Sequence, residues 1–165
     1  MTYRIRRVGH LVLRVKDVER SKRFFSEILN LPVVAQNERG MVFFSSDVED
    51  NHHMLAIVQG KEGATMPSTE HVGMQHVSFE LGNFAELQAA YRRFKDNDVK
   101  IHHTTYHGVA KSLYFFDPDG NLLEVYCNVP PEEYKKSVPN PYSRYGSIED
   151  ELAGIIPQKP GTVAP

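Results

Sequence analysis

Eight histidines stand in a chain of 165 residues that has no tryptophan and a single cysteine, Cys127. They are His10, His52, His53, His71, His76, His102, His103 and His107. Imidazole binds first-row transition metals and titrates near neutrality, so this excess points to metal or proton chemistry. One cysteine makes neither an internal disulfide nor a thiolate zinc site, so any metal must be held by nitrogen and oxygen, in a reducing compartment. The carboxylate that suits such a set is Glu124, embedded in the apolar run LLEVY. An ionised carboxyl there is costly to bury unless a cation or strong hydrogen bonds compensate. Two histidines and a glutamate from three strands would make the facial triad that suits non-haem Fe(II), with the opposite coordination positions open.

A lone histidine on a strand is more often a hydrogen-bonded core or surface residue than a ligand. What singles out His10 and His76 is an internal repeat. Residues 8 to 15 alternate as a strand, Asp17 caps a helix running to Asn30, and LPVVAQ, MVFFSS and HMLAIVQ read as three further strands. The pattern then restarts: GMQHVSFEL as a strand, Asn83 to Asn97 as a helix, and KIHHTT, KSLYFF and NLLEVYC as strands. An offset of 66 residues relates His10 to His76, Asp17 to Asn83, and Val18, Phe25 and Ile28 to Phe84, Tyr91 and Phe94. Asn83 and Glu86 also form a capping-box pattern. The expected fold is α+β: two βαβββ modules, about 7–60 and 73–128, forming a curved mixed sheet around a metal site. Paired about a pseudo-twofold axis, they would bring His10 and His76 across a cavity from one another.

Residues 1–128 are thus expected to be the catalytic domain and 129–165 a Pro-rich C-terminal arm, since seven of the ten prolines follow Cys127. Such a segment is no central strand or long helix. It reads as an arm over the domain or a neighbouring subunit, with a short helix from Ser147 whose apolar edge is Leu152, Ile155 and Ile156. Within the second module, Asp117-Pro118-Asp119-Gly120 is a turn signal. A three-residue loop, with Gly120 in the left-handed conformation, would set Tyr114 directly opposite Glu124 on the same face.

With those residues in place the chain resembles the vicinal oxygen chelate superfamily, and within it the type I extradiol ring-cleaving dioxygenases. The ordered residues Thr105, His107, Leu113, Tyr114, Asp117, Pro118, Gly120 and Glu124 follow that group's signature, and NHHMLAIV is similar to a His-His-x-Leu-Ala stretch of its catalytic half. The resemblance covers residues 8 to 127 and implies the vicinal oxygen chelate fold. It also implies Fe(II), or Mn(II), bound by His10, His76 and Glu124, with His53, His107 and Tyr114 as catalytic residues around the substrate. His53 would be the acid/base, and His52, its neighbour, would face the other way. The activity implied is meta cleavage of a catechol-type aromatic diol by O2 to a muconic semialdehyde-type product, within aromatic hydrocarbon catabolism. Ser78, Val12 and Phe116 would line the cavity, Arg14 and Lys111 are the candidate cations for a substrate carboxylate, and His71, His102 and His103 are assigned to surface.

Three alternatives share the fold. Glyoxalase-type isomerases need a fourth ligand, but Val58, which the offset matches to Glu124, and its neighbours Ala56 and Ile57 cannot ligate. Fosfomycin-type thiol transferases also use two histidines and a glutamate, without need of His53 and His107. A bleomycin-resistance-type binding protein would give the triad no purpose. The near balance of 19 basic and 21 acidic residues speaks against nucleic acid, and no apolar run or leader suggests a membrane, so a cytoplasmic homo-oligomer is expected.

Overall fold

The computed structural model describes residues 2–66, 72–135 and 146–154. It divides into two compact units, Met1–Glu70 and His71–Pro165, each built on a four-stranded mixed sheet with helices. In the first, β1 (Leu11–Val15) leads through α1 (Val18–Arg23) to β2 (Val33–Gln36), β3 (Val42–Phe44) and β4 (Leu55–Gln59). The sheet order is β1-β4-β3-β2, with β1 parallel to β4 and the remaining pairs antiparallel. In the second, β5 (Val77–Leu81), α2 (Phe84–Asp96), β6 (Ile101–Tyr106), β7 (Ala110–Phe116) and β8 (Leu122–Asn128) give the matching order β5-β8-β7-β6.

The repeat survives in detail. Asp17 and Asn83 are both extended N-caps, accepting from the backbone N–H of Arg20 and Glu86. Glu86 reaches back to accept from the N–H of Gly82, one residue before the cap, in a variant of the expected capping box. Strands β1 and β5 begin later than the alternation suggests, at Leu11 and Val77, so His10 and His76 each occupy the residue just before a strand.

One departure is local. After Arg23 the first helix widens into a π-helical turn, Phe24–Ile28, in which the N–H of Leu29 bonds the carbonyl of Phe24. Consecutive Phe24 and Phe25 are both buried, with rings 5.4 Å apart edge to face. The wider turn lets adjacent aromatics share the core, which the α-helical period disfavours.

Strands of the second unit separate two chemistries by their period of two. One face carries Leu113, Phe115, Leu123, Val125 and Cys127, all buried, and α2 covers it with Leu87, Tyr91 and Phe94. Phe94 and Phe115 meet at 4.5 Å. Burial also pushes the Cys127 thiol up, which disfavours its thiolate form. The opposite face holds Ser78, Glu80, Ser112, Tyr114, Glu124 and Tyr126.

The β7–β8 turn is as the sequence suggests: Asp117 pairs with Asn121, Gly120 has φ +93, and Tyr114 stands opposite Glu124. The buried Asp117 carboxylate accepts from the N–H groups of Asp119 and Asn121 and from the Asn121 amide. Asp117→Ala strips three hydrogen bonds from a buried turn and is expected to cost about 2 kcal/mol, read as a lower urea midpoint at unchanged slope.

The described part of the arm lies on its own unit. The carbonyl of Gly146 accepts from the N–H of Tyr106 at the β6 edge, and Thr104 Oγ1 accepts from the N–H of Ile148. A short helix, Glu149–Leu152, starts two residues beyond Ser147 and buries Leu152 completely. Ile155, Ile156 and His71 lie outside the described residues. No helix among those described is long and apolar enough to cross a membrane.

Candidate functional site

Glu124 is only 7 % exposed. Burial pushes its carboxyl up, but the hydroxyls of Ser112, Ser78 and Tyr114 and the His76 imidazole outweigh this and hold it below the ordinary carboxylate range. It is therefore ionised at neutral pH, and His76 Nε2 stands 3.2 Å from its Oε2. Two donors each about 2.1 Å from a six-coordinate ion, at right angles, stand about 3 Å apart. The pair therefore has the spacing of adjacent ligands, and its nitrogen and oxygen suit a first-row divalent ion. Beside it, the fully buried Ser112 lines the same cavity, its hydroxyl turned to Glu124 without closing a hydrogen bond of good geometry. A cation would answer the buried charge, and a ligand oxygen on it would complete the loosely satisfied Ser112 hydroxyl.

Tyr114 is enclosed by imidazoles. Its hydroxyl shares a 3.1 Å hydrogen bond with His107 Nε2, His76 meets its ring edge to face at 5.3 Å, and His103 stacks on it at 4.2 Å and 12°. Burial and then the neighbouring Glu124 raise its phenol far above the usual tyrosine value, so it is a hydrogen-bond donor and not a base. The cavity here, about 450 Å³, is lined by Ser78, His107, Ser112, Tyr114, Glu124 and Tyr126 with Val109 and Ala110 at one side.

His103, assigned to surface from the sequence, is exposed as expected, yet its ring stacks on Tyr114. A β-bulge between Ile101 and His103 shifts the β6–β7 register by one residue and puts His103, in place of His102, opposite Tyr114. Phe116, expected in the cavity, instead meets the rings and cations at the strand's far end, His102 and Lys100. Lys111 is removed from substrate recognition by its face: it pairs with Glu151 and lies over the Phe84 ring, 4.3 Å from its centroid.

The first unit carries its own histidine cluster. His10 and His53 pack with ring centroids 4.5 Å apart, while Phe43 meets His53 edge to face at 5.2 Å. His52 is the more exposed of the adjacent pair. Burial first, then the charges of His10 and His52, lower the His53 pKa, so its imidazole is neutral at physiological pH and able to take a proton. Val12 and Arg14 lie on the exposed face of β1, on the same side as each other.

One residue that the sequence gave no reason to notice fastens this cluster. The Asn51 side chain donates to the carbonyl of Gly9 at 2.8 Å and accepts from the N–H of His53 at 3.3 Å, tying together the two segments that carry His10 and His53. Asn51→Ala is expected to lower unfolding stability by about 1–2 kcal/mol, and Asn51→Asp, which keeps only the acceptor, should fall between it and the parent in the same denaturant titration.

Among the described residues no three His, Cys, Asp or Glu side chains form a metal-binding group; His76 and Glu124 are two donors, and His10 belongs to the other unit. Register also fixes the first unit's counterpart of Glu124. Ser78 pairs with Glu124, and its repeat equivalent Val12 pairs with Ala56, so the matching position is Ala56 and not Val58. Its methyl group cannot ligate.

The sequence profile of the Glyoxalase/Bleomycin resistance protein/Dioxygenase superfamily matches residues 7–125. The chain is 31% identical over 121 residues to biphenyl-2,3-diol 1,2-dioxygenase 3 of Rhodococcus globerulus, covering 72% of this chain and 62% of that protein. It thus spans less than two thirds of that relative's length. It is 26% identical over 125 residues to the metallothiol transferase FosB of Staphylococcus saprophyticus, covering 74% and 77% of the two chains. The crystal structure of the fosfomycin resistance protein FosX of Listeria monocytogenes with Mn(II) and sulfate superposes with a TM-score of 0.61 at 22% identity, covering 82% of this chain and all of that one.

Proposed function

Because the chain belongs to the Glyoxalase/Bleomycin resistance protein/Dioxygenase superfamily, we propose that it is a divalent-metal enzyme that cleaves an aromatic diol with O2. The observation that carries this reading is the hydrogen-bonded pair of His107 and Tyr114 set against the ionised Glu124 and His76. The 31% identity to a diol dioxygenase supports it. In this reading His76 and Glu124 hold Fe(II), or Mn(II), and the sequence resemblance adds His10 to the ligand set.

The metal would supply chelation of both diol oxygens and a path for electrons from the ring to O2. The protein does the rest. His53, kept neutral, takes a proton from the diol and returns it as oxygen is reduced. Tyr114, kept protonated, donates to a substrate oxygen, and His107 orients that phenol. The carbon–carbon bond beside the two hydroxyls breaks, both atoms of O2 enter the product, and no external reductant is consumed. Anaerobic loading with Fe(II), followed by air and a panel of catechols, should give a yellow ring-fission product with matching O2 uptake. Neither signal across the panel would reject the reading.

A metal-dependent thiol transferase is the second reading, supported by the 26% identity to FosB over 125 residues. It leaves His53, His107 and Tyr114 without a task. A glyoxalase-type reaction is disfavoured by Ala56, which withholds a fourth ligand.

A further inference from the structure

Along the site face from Glu124, the next residue of β8 is Tyr126, and beside it on β5 is Glu80. Tyr126 lines the cavity. Its hydroxyl donates to Glu80 Oε2 at 3.2 Å, and the Asn128 amide donates to Glu80 Oε1. Glu80 thus fixes an aromatic wall and sets a carboxylate behind Tyr126, outside the cavity lining. The Tyr126 end of the cavity is finished by Val109, Ala110 and Ser78, and among the described residues no lysine or arginine lines it. Lys111, adjacent in sequence, is held on the opposite face by Glu151.

We propose that this Glu80–Tyr126 wall selects substrates by charge: the ring substituent of the diol is uncharged, and carboxylate-bearing diols are rejected. The inference rests on the diol reading above and adds the substrate class to it. A ligand carboxylate lying one strand repeat, about 7 Å, from Glu80 would be repelled through an effective dielectric between that of a protein surface and that of water. Glu80 is exposed, so solvent and salt soften the effect. A discrimination of about three- to tenfold is the scale expected. An apolar substituent gains instead from contact with the Tyr126 ring, Val109 and Ala110.

The probes are 3-methylcatechol and 2,3-dihydroxybenzoate, titrated calorimetrically into Fe(II)-loaded protein under argon so that binding is read without turnover. The neutral diol should bind about three- to tenfold tighter, and the gap should shrink as salt is raised. Glu80→Gln keeps the size and an acceptor for Tyr126 while removing the charge, and should narrow the ratio to near one. Tyr126→Phe keeps the charge and should leave the carboxylate penalty in place. A carboxylate diol that binds as tightly as the neutral one, or a ratio that Glu80→Gln does not change, overturns the charge wall while leaving the diol reading intact. If neither diol binds the metal-loaded protein, the diol reading falls and the substrate class with it.

Discussion

Replacing Glu124 with glutamine is expected to cost the protein its metal. The amide is neutral and a poor donor, so Fe(II) affinity should fall by more than the roughly 10- to 100-fold that losing an outer hydrogen-bond partner costs, and ring cleavage should disappear with it. The metal-free fold should hardly notice. Glutamine retains an acceptor oxygen for the hydroxyls of Ser78 and Tyr114, its N–H can donate to a neutral His76, and a buried charge is no longer there to be compensated. Elemental analysis of dialysed protein beside thermal unfolding of the metal-free form separates the outcomes. Iron retained at the parent's stoichiometry would remove Glu124 from the ligand set, whereas a large drop in the metal-free midpoint would make its role structural.

The second large effect is expected at His53. His53→Phe should keep iron bound while turnover falls by about 10²–10⁴, the range for losing a positioned acid/base. Phenylalanine suits the site because His53 already packs against Phe43 and the His10 ring. The pH profile provides a second check. Since burial, His10 and His52 lower the His53 pKa below 6.5, the acid limb of kcat/KM should fall only below that value. His52→Ala removes one lowering charge, so the limb should move towards 6.5 and activity at mildly acidic pH should drop. Loss of iron in His53→Phe would make His53 a ligand. An acid limb unmoved in His52→Ala and unchanged in the residual activity of His53→Phe would assign the titration to another group.

These two residues differ in how they came to light. Glu124 is conspicuous in the chain because a carboxylate interrupts an apolar strand, and its partner Tyr114 follows from a countable turn. His53 is picked from its neighbour only by resemblance, and its contact with His10 depends on where the loop before β4 runs. Asn51 carries no sequence signal, since an asparagine in a polar loop is ordinary until its amide is seen joining Gly9 to His53.

Sequence by itself determined what is local or periodic. The 66-residue repeat, the two N-caps, the hairpin that sets Tyr114 against Glu124, and the equivalent places of His10 and His76 just before β1 and β5 all follow from spacing, turn chemistry and strand alternation. Tertiary structure decided what depends on register and course. A single extra residue in β6 gives the place beside Tyr114 to His103 in place of His102, because a bulge moves every later side chain by one without marking the sequence. Alternation turns Lys111 to the helix side, where Glu151 holds it, and strand pairing makes Ala56 the counterpart of Glu124. The excess of histidine pointed to metal or proton chemistry, and cross-strand geometry decided which imidazoles stand beside Tyr114 and Glu124, because a side chain's neighbours across a sheet are set by pairing and not by its position along the chain.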